Sequence, residues 1–238
     1  MKASVEICID SVESAVAAEE GGAARVELCA ALDQGGLTPS AGMIELARKK
    51  ISIGLHVMIR PRPGDFFYSD LELETMVRDI DIAKRLGANG VVFGVLNRES
   101  AVDVPRVARL VELARPLSVT FHRAFDEVPD QFAALEEIVP LGIDRILTSG
   151  GMPSISDGLQ TVKQLVEKAG GRIMVMAGSG VTMQNAQEIV SRTGVKEIHV
   201  RSAVTSAHPT GKRKTSLYGL PPPVVDASAV RELIAMLR

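Results

Sequence analysis

The residues with most chemistry to offer are two cysteines, Cys8 and Cys29, set among acids and histidines that alternate with β-branched side chains. Neighbouring parallel strands lie ~4.8 Å apart, so two thiols at matching positions can share one soft ion. Thiolate and thioether donors select Cu(I) or related ions, and Met58 offers a thioether in the following apolar run. No C-x-x-C or H-x-x-x-H spacing accompanies the pair, and two small buried hydrophobes are the competing reading. A second chemistry is proton transfer by Glu6, Glu27, His56, His122 and Asp126, whose pKa values burial can move toward neutrality. A nucleophilic Cys8 or Cys29 with His56 is a further possibility, without the local signatures of cysteine enzymes. A third is anion binding. Ser149-Gly150 and Gly178-Ser179-Gly180 follow strand-like runs, Arg201-Ser202 ends another, and Arg60 and Arg201 can supply charge. Tight turns built from glycine explain the same letters equally well.

The elements that must position these groups are eight strand-like runs. They are SVEICI from Ser4, ARVELC from Ala24, IGLHVMI from Ile53, GVVFGV from Gly90, SVTFH from Ser118, DRILT from Asp144, RIMVMA from Arg172 and KEIHV from Lys196. Each precedes a segment of helical period, which predicts an α/β fold with a parallel sheet. Ser11, the Ser69-x-x-Glu72 box and Thr182 mark helix starts; Gly21-Gly22, Gly87, Gly142, Gly170-Gly171 and Gly194 mark ends. Units of about 30 residues predict a TIM (β/α)8 barrel forming a single domain over 1–238, with a doubly wound open sheet as runner-up. The stretch 203–225 lacks a period and reads as a long loop over the mouth, with its GKRK run as a solvated face. Val230, Leu233, Ile234 and Leu237 give the last helix one apolar stripe.

Side chains alternate along a strand. If Val5, Ile7 and Ile9 face the helices, Glu6, Cys8 and Asp10 point inward; the same parity turns Arg25, Glu27, Cys29, His56, Met58, Arg60, Thr120, His122, His199 and Arg201 inward. A barrel interior is ordinarily layered with Val, Ile and Leu. Here it is ionisable and sulfur-bearing, so the groups must pair, bind something or border a wet cavity. A paired polar core that only specifies the fold is the plainer alternative.

Composition narrows the classes. With 27 Lys+Arg, 29 Asp+Glu, no Trp and few aromatics, the chain has neither the field nor the stacking surface for nucleic acid. No apolar run approaches the ~20 residues that cross a bilayer, and the N-terminal MKASVEICID reads as a strand, not a signal peptide. Two cysteines make no disulfide scaffold, so a cytoplasmic protein is expected.

Taken together, VEICIDSVESA (5–15), RVELCAALDQGGLTPS (25–40), HVMIRPRPGDFFYSD (56–70), VTFHRAFD (119–126), RILTSGG (145–151) and MAGSGV (176–181) resemble the CutC-type copper homeostasis proteins. The resemblance spans roughly the first 200 residues. It implies a TIM barrel, Cu(I) held at the cysteine pair, here Cys8 and Cys29, a cytoplasmic location and a homo-oligomer. Pro63 stands where that pattern expects glycine, and Arg201 where it expects a small residue. Two rival readings accompany it: an enzyme acting on a small anionic or phosphorylated substrate at the mouth, and a non-catalytic oligomeric scaffold.

Overall fold

In the computed structural model, which describes residues 3–207 and 221–238, the eight β-forming runs pair in chain order and close on themselves. β1 (Ser4–Ile9), β2 (Arg25–Leu28), β3 (Gly54–Met58), β4 (Gly90–Phe93), β5 (Ser118–Phe121), β6 (Arg145–Thr148), β7 (Met174–Ala177) and β8 (Glu197–Val200) form a closed parallel barrel, with β8 hydrogen-bonded to β1. The helices α1 (Val12–Glu20), α2 (Ala41–Lys50), α3 (Asp70–Arg85), α4 (Val104–Ala114), α5 (Gln131–Ile138), α6 (Ile155–Ala169), α7 (Ala186–Thr193) and α8 (Ala227–Met236) alternate with the strands. This is a TIM barrel, and the open sheet is excluded by its closure.

Local chemistry sets the helix ends. Ser11 caps α1 through Ser14 N, and Ser69 and Glu72 form a reciprocal capping box at α3. Thr182, expected to open a helix directly, instead exchanges hydrogen bonds with Asn185, and α7 begins three residues later than that cap implies. At the other end Val230, Leu233 and Leu237 are buried, and α8 lies so close to α1 that a Cβ on Gly21 would meet Val230 Cβ at 2.5 Å. The two ends of the expected long loop meet in a short ladder. β9 (Thr205–Ser206) and β10 (Val224–Val225) pair antiparallel, while the GKRK run lies outside the described residues.

Alternation sorts the strand side chains as expected. Val5, Ile7, Ile9, Val26, Leu28, Leu55, Val57 and Ile59 join the apolar cluster made with the helices, whereas Cys8, Cys29, Met58 and Val92 form a separate one. Glu6, Arg25, Glu27, His56, Arg60 and His122 are also buried. Large interior side chains need space, and β4 supplies it by having no side chain at Gly90. A Cβ there would lie 2.6 Å from His56 Cδ2 and Nε2.

Gly90→Ala is therefore expected to overpack the interior and lower unfolding free energy by about 1–3 kcal/mol. Urea denaturation measures it; a loss no larger than that of an exposed Gly→Ala change would show that His56 gives way freely.

Candidate functional site

Register brings the polar groups together in two levels. Glu6 lies opposite Arg25 on one side and His199 on the other, and Cys8 lies opposite Glu27, which in turn faces His56. At the lower level, Arg25 bonds Glu6 and Glu197, and Arg145 bonds Glu197. Arg25 Nη2 also reaches Met176 Sδ at 3.2 Å, and Arg145 Nη1 reaches Thr120 Oγ1 at 3.3 Å. Burial works against the Glu6 charge, yet Arg25, helped by His199 and His56, pulls its pKa down to about 2. His56 Nδ1 sits 3.8 Å from Glu6, and burial pushes that imidazole down to about 4.

The upper level carries sulfur. His199 Nε2 lies 2.9 Å from Glu27 Oε2, and the Cys29 thiol is 3.7 Å from the same oxygen. One donor atom each from Cys8, Glu27 and His199 lies within 4.8 Å of the others. A hydrogen bond from Cys29, with the nearby His199, lowers the Cys8 pKa against the opposing effect of burial. The converse holds for Cys29, which that same bond and burial push well up. Burial disfavours charge on His199, but Glu27 and Cys8 outweigh it and raise its pKa well above the ordinary value. The arrangement biases the Cys8 thiol toward thiolate, with His199 beside it and Glu27 behind that imidazole.

These groups open into a cavity of about 120 Å³ whose other walls include Leu32, Met58, Arg60, Phe66, His122, Arg123 and Leu147. It collects Cys8, Glu27, Cys29, Arg60 and His122 from among the sequence-predicted residues, while Glu6 and His56 belong to the level beneath. Asp126 takes a different part. Its carboxylate accepts from Arg123 Nε, Thr148 Oγ1 and the Ser149 and Gly151 amides, which ties together the loops after β5 and β6.

Ser149, Gly150, Gly178, Gly180, Arg201 and Ser202 do not line the cavity. The Ser149 hydroxyl is taken up by Asp126, and the Gly178 amide donates to Thr148 O, continuing the sheet. Gly150 and Gly180 have φ of +75° and +76°, and each backs onto a neighbouring loop or helix, so turn geometry accounts for both. Arg201 sits 3.7 Å from Asp10, and Ser202 is exposed.

Three participants escaped sequence reasoning: Arg145 and Glu197 in the lower level, and Phe66 in the cavity wall. The first two carry a readable signal, since each lies two residues before an inward side chain, Leu147 or His199. Phe66 sits on a loop, where no period marks it.

The CutC family model matches residues 3–204. The chain is 52% identical over 195 residues to a mouse "Copper homeostasis protein cutC homolog", covering 82% of this chain and 72% of the relative. It is 44% identical to a CutC family protein of Vibrio campbellii over the full length of both. Among solved structures, the putative copper homeostasis protein CutC from Streptococcus agalactiae superposes with a TM-score of 0.79 at 38% identity, covering 84% of this chain and 98% of that one. A Pyrococcus furiosus thiamine phosphate pyrophosphorylase, at 20% identity and TM-score 0.64, shares the fold over 98% of this chain and 95% of its own.

Two buried neutral histidines dictate the acid response. Burial, then Arg60, pushes His122 down to about 3, and His56 stands at about 4, both from an ordinary 6.5. Below 6.5 the unfolded chain takes protons that the native rings refuse, so stability falls with pH, approaching about 1.4 kcal/mol per pH unit for each ring. Glu6 adds a loss of the same sign below 4.5. His199, whose pKa is raised, contributes stability that is already complete below 6.5 and is lost only as pH rises. The urea midpoint is thus expected to drop between about pH 7 and about pH 5, less steeply in His122→Asn. An unchanged slope in that variant would contradict a neutral buried ring.

Proposed function

The chain belongs to the CutC family, and from that membership we propose that it serves copper homeostasis by binding Cu(I) as cargo between Cys8 and Cys29. The observation that carries this reading is the inner cluster of Cys8, Cys29 and Met58, a soft donor set in which one thiol is already biased toward thiolate. His199 favours that negative charge, and the Cys29 thiol, which donates to Glu27, must give up its proton to solvent on binding. In this reading the protein works as a single-domain homo-oligomer in the reducing cytoplasm, which keeps both thiols free. No helix of the described residues is long and apolar enough to cross a membrane.

A second reading is favoured by the line Cys8, His199, Glu27. A sulfur, an imidazole and an orienting carboxylate at one cavity also describe an enzyme acting on a small anionic or phosphorylated substrate. Metal stoichiometry separates the two.

Anaerobic titration against a competing Cu(I) chelator is expected to give one tight equivalent, lost in both Cys8→Ala and Cys29→Ala. Unchanged affinity in the two variants would remove the copper reading. Because Cys29 must lose a proton from a raised pKa, affinity is expected to rise about tenfold per pH unit through neutrality. A pH-independent constant would mean that Cys29 is not a ligand.

A further inference from the structure

The cavity has a second chemical character on the wall away from the cysteines. Arg60 is 6% exposed and His122 4% exposed, and Phe66 packs against both. Its ring centroid is 4.8 Å from that of His122 and 5.0 Å from the Arg60 Cζ.

Arg60 donates to the carbonyls of Gln34, Gly36 and Gly64. Among the described residues it pairs with no carboxylate, and its Nε is buried without a partner. That contrasts with Arg25, equally buried, which meets both Glu6 and Glu197. The groups around this buried guanidinium, the carbonyls, the Phe66 face and the nearby Tyr68 hydroxyl, are dipoles and not charges, so an anion supplies the missing compensation.

His122 supplies the matching donor. Its Nδ1 accepts the Ala124 backbone amide at 3.2 Å, so the neutral ring carries its proton on Nε2. That Nε2 is buried and, among the described residues, unpartnered. A buried N–H without an acceptor is costly, and the ring lines the cavity.

We infer that the mouth cavity binds a small organic monocarboxylate, its carboxylate held by Arg60 and by His122 Nε2–H, its hydrocarbon part against Leu32, Met58 and Leu147. One guanidinium without a carboxylate partner among the described residues and one neutral donor suit a monoanion; the other arginine lining the cavity, Arg123, is already paired with Asp126. The site goes beyond the copper reading and does not depend on it. It also differs from the loop glycines after β6 and β7, which turn geometry explains.

The test uses metal-free protein with a copper chelator present, so that its outcome is independent of Cu(I) binding. Short monocarboxylates from acetate to hexanoate, their neutral amides and inorganic phosphate are titrated while backbone and histidine-ring NMR shifts are followed. The carboxylates are expected to saturate shifts around Phe66 and Gly94, with affinity at least about tenfold above the amides. His122→Asn retains an acceptor for the Ala124 amide but removes Nε2, and is expected to weaken carboxylate binding by about the same factor. Arg60→Met should abolish it; because Arg60 also ties down three loop carbonyls, His122→Asn carries the test if that variant does not fold. Amides binding as well as carboxylates, or an unaffected His122→Asn, would overturn the assignment. Phosphate binding without carboxylate binding would overturn the ligand class.

Discussion

Placing charge inside a barrel is tolerable only when each charge meets its opposite, and the Arg25 guanidinium is where this protein meets that demand. It bonds Glu6 on β1 and Glu197 on β8, and Arg145 from β6 closes the set against Glu197. Two arginines face two glutamates, so the lower level is formally neutral and blocks the barrel where aliphatic layers would otherwise sit. Removing one member would leave a buried charge unpaired, which costs more than the intact set contributes. The level above touches the one below, since Glu6 lies 3.8 Å from His199.

Space imposes a second constraint. Histidine and arginine are larger than the Val and Leu they replace, and the barrel circumference does not grow to suit them. Relief comes where neighbouring inward positions have no side chain. Gly90 makes room for His56, and a Cβ on Gly94 would lie 2.7 Å from the His122 ring. Gly178, beside Leu147 and His199, does the same near β7. Among these, Gly178 is also one of the glycines that the sequence offered for an anion site, and its lack of a side chain has a packing role as well.

This explains what was legible in the sequence and what was not. Parity along a strand is a local property, so Glu6, Cys8, Glu27, Cys29, His56 and His122 could be turned inward from their letters alone, and closure of the barrel makes those inward sets converge. Which inward groups share a level depends on stagger between strands, and single-strand patterns do not carry it. Cys8 is placed beside Glu27 instead of Cys29 by the register of β1 on β2, and His199 enters the sulfur level only because β8 closes on β1. Asp126 was legible as an acid near the mouth, but its partners come from the loops after β5 and β6, whose convergence no period encodes. The same limit applies to Phe66, which reaches the cavity on a loop.

The two levels and the far wall leave one cavity with opposed chemical ends. At the sulfur end, Cys8, Glu27 and His199 bring their donor atoms within 4.8 Å of one another, a setting that suits a soft cation better than a further carboxylate. At the Phe66 end, Arg60 keeps an uncompensated charge, and His122 stays neutral because burial and that same arginine disfavour its proton. Nearby positive charge thus fixes His122 as a hydrogen-bond donor of constant charge, and a ligand anion bound to Arg60 would shift the balance toward protonation only by neutralising the group that opposes it. If the cavity takes both a soft cation and a small anion, the two charged groups are held by different residues, and each would lower the electrostatic cost of the other through the shared low-dielectric interior.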